Sequence, residues 1–137
     1  MAKEEVNLKS RPLSPHLQVY RPQMTSMLSI LHRITGAANM AGLLLFSAWL
    51  ILLASDKQLY LAFIAFMAGP FGQFLLIGWS ASVYYHLCNG IRHLIWDTGR
   101  LMSIKGAYRA GYVILLATAF LTAGTWACIY LYHPGVN

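Results

Sequence analysis

Ser29, His32 and Arg33 stand where a polar N-terminal segment gives way to a long apolar run. On a helix Ser29 and Arg33 fall one turn apart, so a hydroxyl and a guanidinium share one face. At the edge of hydrocarbon such a pair could hydrogen-bond a quinone carbonyl while an isoprenoid tail stays in lipid. The cation would then stabilise charge that develops on reduction. The plainer reading has Arg33 snorkelling to lipid phosphates and Ser29 bonding its own helix.

A second constellation, His86, Gly90, His93 and Asp97, has i, i+4, i+7 and i+11 spacing, which makes one stripe along a helix. A neutral imidazole at His86, a few residues below the boundary marked by Arg92, could offer an axial nitrogen to haem iron, and Gly90 would leave room for a porphyrin face. The alternative is a histidine that hydrogen-bonds a neighbouring helix. A b-type haem generally takes two axial ligands, yet the positions at matching depth are Asn39 or Met40 and Leu115 or Leu116. A bis-histidine site would therefore need a histidine from another chain, with Met40 as the weaker internal option. His32 and His93 fall near the same surface as Arg33; either solvation or contact with haem propionates suits them. Arg92 reads as a topology charge, Asp97 as an interface residue, and Tyr84, Tyr85, Trp79 and Trp96 as packing and interfacial belt.

The elements that must position these residues are apolar and long. Of 137 residues, 58% are hydrophobic and 10% charged, a balance that calls for a bilayer rather than water. The +6 net charge is gathered in short clusters between apolar runs, which speaks for membrane topology and against nucleic acid. Cys88 and Cys128 lie inside apolar segments and suggest neither a disulfide framework nor a metal site. The N-terminal charges lack the apolar core of a cleaved secretory signal.

Residues 34–55 carry no charge, enough at about 1.5 Å per residue to cross a core of roughly 30 Å. A second uncharged stretch runs from Gln58 to Ile91, interrupted by Gly69, Pro70 and Gly72, and a third runs from Ala110 to the C-terminus. The expectation is an all-α membrane protein of three transmembrane helices in one domain, 1–137. An irregular leader over 1–25 precedes helices at about 26–54, 63–95 and 108–132, with Thr25 or Ser26 as a cap for the first. His133 falls at the far interface. Lys3, Lys9, Arg11, Arg21 and Arg33 before the first span, and Arg92, Arg100, Lys105 and Arg109 around the second connection, place the N-terminus inside and the C-terminus outside.

Three segments together carry a resemblance: Arg11 to Tyr20 (RPLSPHLQVY), Ser29 to Gly36 (SILHRITG) and His86 to Asp97 (HLCNGIRHLIWD). They resemble the family of cytochrome b556 subunits of succinate dehydrogenase, in its mitochondrial and alphaproteobacterial branch. The resemblance implies half of a heterodimeric six-helix anchor that holds a haem b shared with a second three-helix subunit. It also implies docking of an iron-sulfur subunit and a flavoprotein, which alone carry the iron-sulfur clusters and FAD. By the same resemblance His86 is an axial haem ligand, Ser29 and Arg33 line a ubiquinone site, and His32, Arg33 and His93 lie near the haem propionates. The location implied is the bacterial cell inner membrane or the mitochondrial inner membrane. No dehydrogenase centre lies in the chain itself. Other readings are a haem-free structural anchor and the anchor of a fumarate reductase working with quinol.

Overall fold

The computed structural model describes residues 22–132, all helical apart from short joints. The leader to Arg21, with its RPLSPHLQVY segment, and His133 lie outside the described residues. Four helices follow one another: α1 (Met24–Ser55), α2 (Lys57–Ala68), α3 (Pro70–Asp97) and α4 (Ile104–Tyr132).

Helix α1 starts directly after Pro22, and Gln23 takes the cap position without a side-chain bond. Thr25 and Ser26, expected to cap, instead sit inside the first turn. At its far end Asp56 adopts an extended conformation and its carboxylate accepts from the amides of Gln58 and Leu59 at 2.8 and 3.0 Å, which caps α2. The second apolar stretch, expected as one helix over 63–95, is two helices bent by 77°. Pro70 is the cause: it has no N–H to continue the ladder and keeps Gly69 extended, at φ −69° and ψ 165°. Gly72 holds the elbow tight, since a side chain there would run into the Met67 backbone.

By length and composition α1 and α4 can each cross a membrane, and α2 with α3 form a third candidate span if the bent pair is taken as one. Helix α3 is the centre of the bundle and packs against α1, α2 and α4. Contacts pair Tyr85 with Leu28 and Trp79 with Gly42, so α1 and α3 are antiparallel. Arg92 pairs with Ala107 and Tyr84 with Thr125, so α3 and α4 are antiparallel too. The start of α1, the end of α3 and the start of α4 thus share one end of the molecule.

The buried cluster that fixes this end is Leu28, Tyr85 and Ile114, with the Tyr85 hydroxyl donating to the Leu28 carbonyl at 2.7 Å. Close approach depends on glycine: the Trp79 indole occupies the space a side chain at Gly42 would need, and Met24 and Leu28 crowd Gly111. Many large apolar side chains are exposed along α1, α3 and α4, as expected of surfaces that meet lipid or other apolar partners. Helix α3 ends at Asp97 with Thr98 as its cap, followed by Gly99, whose φ of 76° suits a residue without Cβ, and α4 begins where the Ser103 hydroxyl accepts from the Gly106 amide at 3.1 Å.

Candidate functional site

Antiparallel packing of α1 on α3 brings the two sequence constellations together. The His32 and His86 rings stack with centroids 3.9 Å apart and planes 10° off parallel. His93 stands 5.2 Å from His32 and meets Trp96 edge-on at 5.3 Å, so the three histidines and Trp96 form one continuous group.

The hydrogen bonds around His86 decide its tautomer. Its Nδ1 lies 3.2 Å from the His32 carbonyl oxygen, which can only accept, and 3.3 Å from the Thr35 hydroxyl. The Thr35 hydroxyl has its own acceptors in the Leu31 and His32 carbonyls, at 2.9 and 3.0 Å. Nδ1 therefore carries the proton, and Nε2 keeps its lone pair. An imidazole whose Nδ1–H is held by a carbonyl is the arrangement in which Nε2 is free and oriented to serve as a metal ligand. Gly36 lets the ring lie this close to α1, because a Cβ there would stand 3.3 Å from His86 Cε1. One turn along α3, a Cβ at Gly90 would meet nothing within 4 Å, so there is open space for a flat group beside His86. Met40, the internal alternative as second ligand, is 65% exposed, and the side chains that hydrogen-bond or stack on His86 are Thr35 and His32. Among the described residues no three His, Cys, Asp or Glu side chains are grouped to hold a bare metal ion.

Beside this group, between the first turns of α1 and the last of α3, is a cavity of about 410 Å³. Ser29 and Arg33 line it from α1 beside Thr25 and Ser26, while Arg92, His93 and Trp96 line it from α3. Its volume suits a ring-sized ligand head. Asp97 is exposed and does not line it.

Sequence reasoning missed Arg92. Expected as a surface topology charge, it is 3% exposed, its guanidinium 3.9 Å over the Trp96 ring. It donates from one terminal nitrogen to Asn89 Oδ1 at 3.4 Å and from the other to the Ala107 carbonyl at 3.2 Å. Burial comes from α4, which no spacing on α3 reveals. Asn89 is fully buried and also lies 3.3 Å from His93 Nε2, so one amide orients both residues. The available signal was the Asn89, Arg92, His93 and Trp96 spacing of i, i+3, i+4 and i+7, a second stripe beside the one that begins at His86. Trp96, read as belt, is a wall of the cavity. Among the described residues two buried donors here, Arg92 Nε and Trp96 Nε1, find no protein acceptor, and His32 Nδ1, donor or acceptor according to its tautomer, has no partner either. Buried donors of this kind ordinarily find a partner, and a ligand bearing carbonyl or carboxylate oxygens would supply one.

Comparison with known proteins gives the same direction. Residues 7–125 match the family described as succinate dehydrogenase/fumarate reductase transmembrane subunit. The chain is 42% identical over 125 residues to the succinate dehydrogenase cytochrome b556 subunit of Rickettsia prowazekii (strain Madrid E), covering 90% of this chain and 96% of that one. It is 40% identical over 121 residues to the succinate dehydrogenase cytochrome b560 subunit of Marchantia polymorpha, covering 82% and 85%. It is also 40% identical over 124 residues to the mitochondrial succinate dehydrogenase cytochrome B subunit of Schizosaccharomyces pombe, covering 87% and 68%. With the match extending over most of the sequence, and with a helical membrane fold that agrees with it, the chain belongs to the succinate dehydrogenase/fumarate reductase transmembrane subunit family.

Proposed function

We propose that the chain is the cytochrome b anchor of a succinate dehydrogenase, a subunit of respiratory complex II in a bacterial or mitochondrial inner membrane. In this reading it crosses the bilayer three times, through α1, the bent α2–α3 pair and α4. The positive-inside bias of Arg33, Arg92, Arg100, Lys105 and Arg109 puts the end that bears the site on the inner side. Its partners are a second three-helix anchor, an iron-sulfur subunit and a flavoprotein subunit. FAD and iron-sulfur clusters belong to those partners, and the chain itself holds no dehydrogenase centre.

The observation that carries the reading is adjacency: a polar cavity bounded by Ser29 and Arg33 shares its α3 wall with the histidine group. Ubiquinone is the substrate assigned to the cavity. Ser29 donates a hydrogen bond to one quinone carbonyl, and Arg33 places a positive charge where negative charge develops on reduction. Arg92 and Trp96 shape the opposite wall and keep water from the ring.

The residues also fit a haem b. His86 would hold the iron through Nε2, Gly90 would leave room for the macrocycle, and His32, Arg33 and His93 would supply nearby polar groups for propionates. When bound, haem provides a one-electron store beside the quinone. Stacked rings such as those of His32 and His86 set their nitrogens side by side, so His32 would not hold the iron together with His86. The second ligand is accordingly assigned to the other anchor subunit.

The deciding experiment is a dithionite-reduced minus oxidised visible spectrum of the complex purified through a tag on this chain. A b-type α band in the wild type that is lost in His86→Ala is the expected result. Absence of the band in wild type overturns the haem assignment and leaves the quinone role to be tested through Ser29 and Arg33.

A further inference from the structure

A second opening at the same end of the molecule shares the Arg92 wall but lies between α3 and α4. It is a groove of about 650 Å³ whose deeper walls are apolar, with Cys88 and Ile91 on α3 and Val113 and Ala117 on α4. Its outer end carries Lys105 and Arg109, both exposed. From Lys105 to Ala117 is twelve residues of α4, roughly 18 Å of helix with its charges at one end.

Nothing acidic balances that end from within the groove. The described residues include two carboxylates, Asp56 at the α1–α2 joint and Asp97 at the end of α3, and neither lines it. The first turn of α4 has no acidic residue, and Lys105 stands there at the positive pole of the helix dipole, where a cation is disfavoured unless an anion is close. Arg92 adds a third, buried cation to the wall, and its Nε has no acceptor among the described residues.

We propose that the α3–α4 groove binds an anionic phospholipid, its phosphate held by Lys105 and Arg109 and one acyl chain lying along Val113 and Ala117. Basic pockets between membrane helices select acidic headgroups in this way. The charge gradient along the groove matches the lipid: cations at headgroup level and hydrocarbon below. A soluble phosphate meets only the rim, and an acidic protein surface has no use for the apolar depth.

The test uses the whole complex, purified through a tag on this chain, delipidated in mild detergent and offered vesicles of phosphatidylcholine with or without phosphatidylglycerol. Bound lipid per complex is measured by mass spectrometry. Wild type takes up phosphatidylglycerol selectively. Lys105→Gln with Arg109→Gln weakens that uptake roughly 30-fold, the loss expected for two membrane-surface cations. Ala117→Trp fills the depth and lowers uptake while keeping both charges. Excess inorganic phosphate leaves wild-type uptake unchanged. Equal phosphatidylglycerol in wild type and both variants overturns the proposal. So does loss of the soluble subunits from the double glutamine variant with its lipid content intact, which would make the basic rim a protein-docking surface. Should one variant fail to assemble, the other decides.

Discussion

The backbone carbonyl of His32 lies 3.2 Å from Nδ1 of His86, while the two imidazoles of the same residues stack face to face at 3.9 Å. Residue 32 thus serves His86 twice, once through the main chain and once through the side chain. Only the second service can be removed by mutation. His32→Leu should lower the haem-to-protein ratio only modestly, through the lost propionate contact, and shift the α band, because the carbonyl still fixes the tautomer. A pyridine haemochrome assay beside the reduced spectrum checks this, and loss of most of the haem would show that the side chain itself is required.

If Ser29 holds a quinone carbonyl as proposed, removing its hydroxyl deletes one neutral hydrogen bond, about 1 kcal/mol. Ser29→Ala is therefore expected to lower kcat/KM for ubiquinone about fivefold, given that 1.4 kcal/mol is a factor of ten. Arg33→Leu removes a charge-assisted contact and should cost about 10- to 100-fold. Succinate-dependent dye reduction by the soluble subunits should be unchanged in both. A parallel fall in dye reduction would assign the effect to assembly.

Gly90 faces open space in the chain by itself. Gly90→Leu is expected to leave helix content and subunit assembly as in wild type while lowering bound haem, since the new side chain claims room that only a ligand or partner would otherwise fill. Circular dichroism and haem content, read on one preparation, separate the two effects.

Asn89 is fully buried and joins Arg92 to His93. Asn89→Ala strands part of a buried guanidinium, at a cost of about 1–3 kcal/mol. The thermal midpoint of the purified complex should fall, and quinone kinetics should worsen through the misplaced His93 and Arg92. Asn89→Ser, which retains a short acceptor, should recover part of both.

Gly42 gives the Trp79 indole its seat against α1. Gly42→Val forces the helices apart and should cost about 1–3 kcal/mol by overpacking. A lower thermal midpoint with an unaltered α band is expected, because the contact lies more than one helical turn from Gly36 and the His86 group.

The apolar runs and the positions able to do chemistry were legible in the sequence, because hydropathy and one-turn spacing are local properties. Ser29 and Arg33 do line one cavity, and His86, His32 and His93 do gather beside it. What spacing could not supply was the third dimension. Arg92 looked like any boundary arginine until α4 brought the Ala107 carbonyl against it. Thr35 and Gly36 became part of the His86 environment only through the antiparallel register of α1 and α3. The breaker residues at 69, 70 and 72 announced an interruption, but the separate α2 helix and its 77° turn depend on how Met67 and Gly72 pack. The stacking of His32 on His86 was likewise invisible to spacing, because it joins residues 54 positions apart on two helices.

Among the described residues, the buried large apolar side chains are only Leu28, Met67, Tyr85 and Ile114. A chain with so small an interior has little folding free energy to call its own, and the rest must come from the bilayer and from neighbouring subunits. Copies made in excess of those neighbours would stay incompletely covered and, by the same reasoning, be short-lived. Matched amounts of this chain and its neighbours in the complex would follow from this shortage of core.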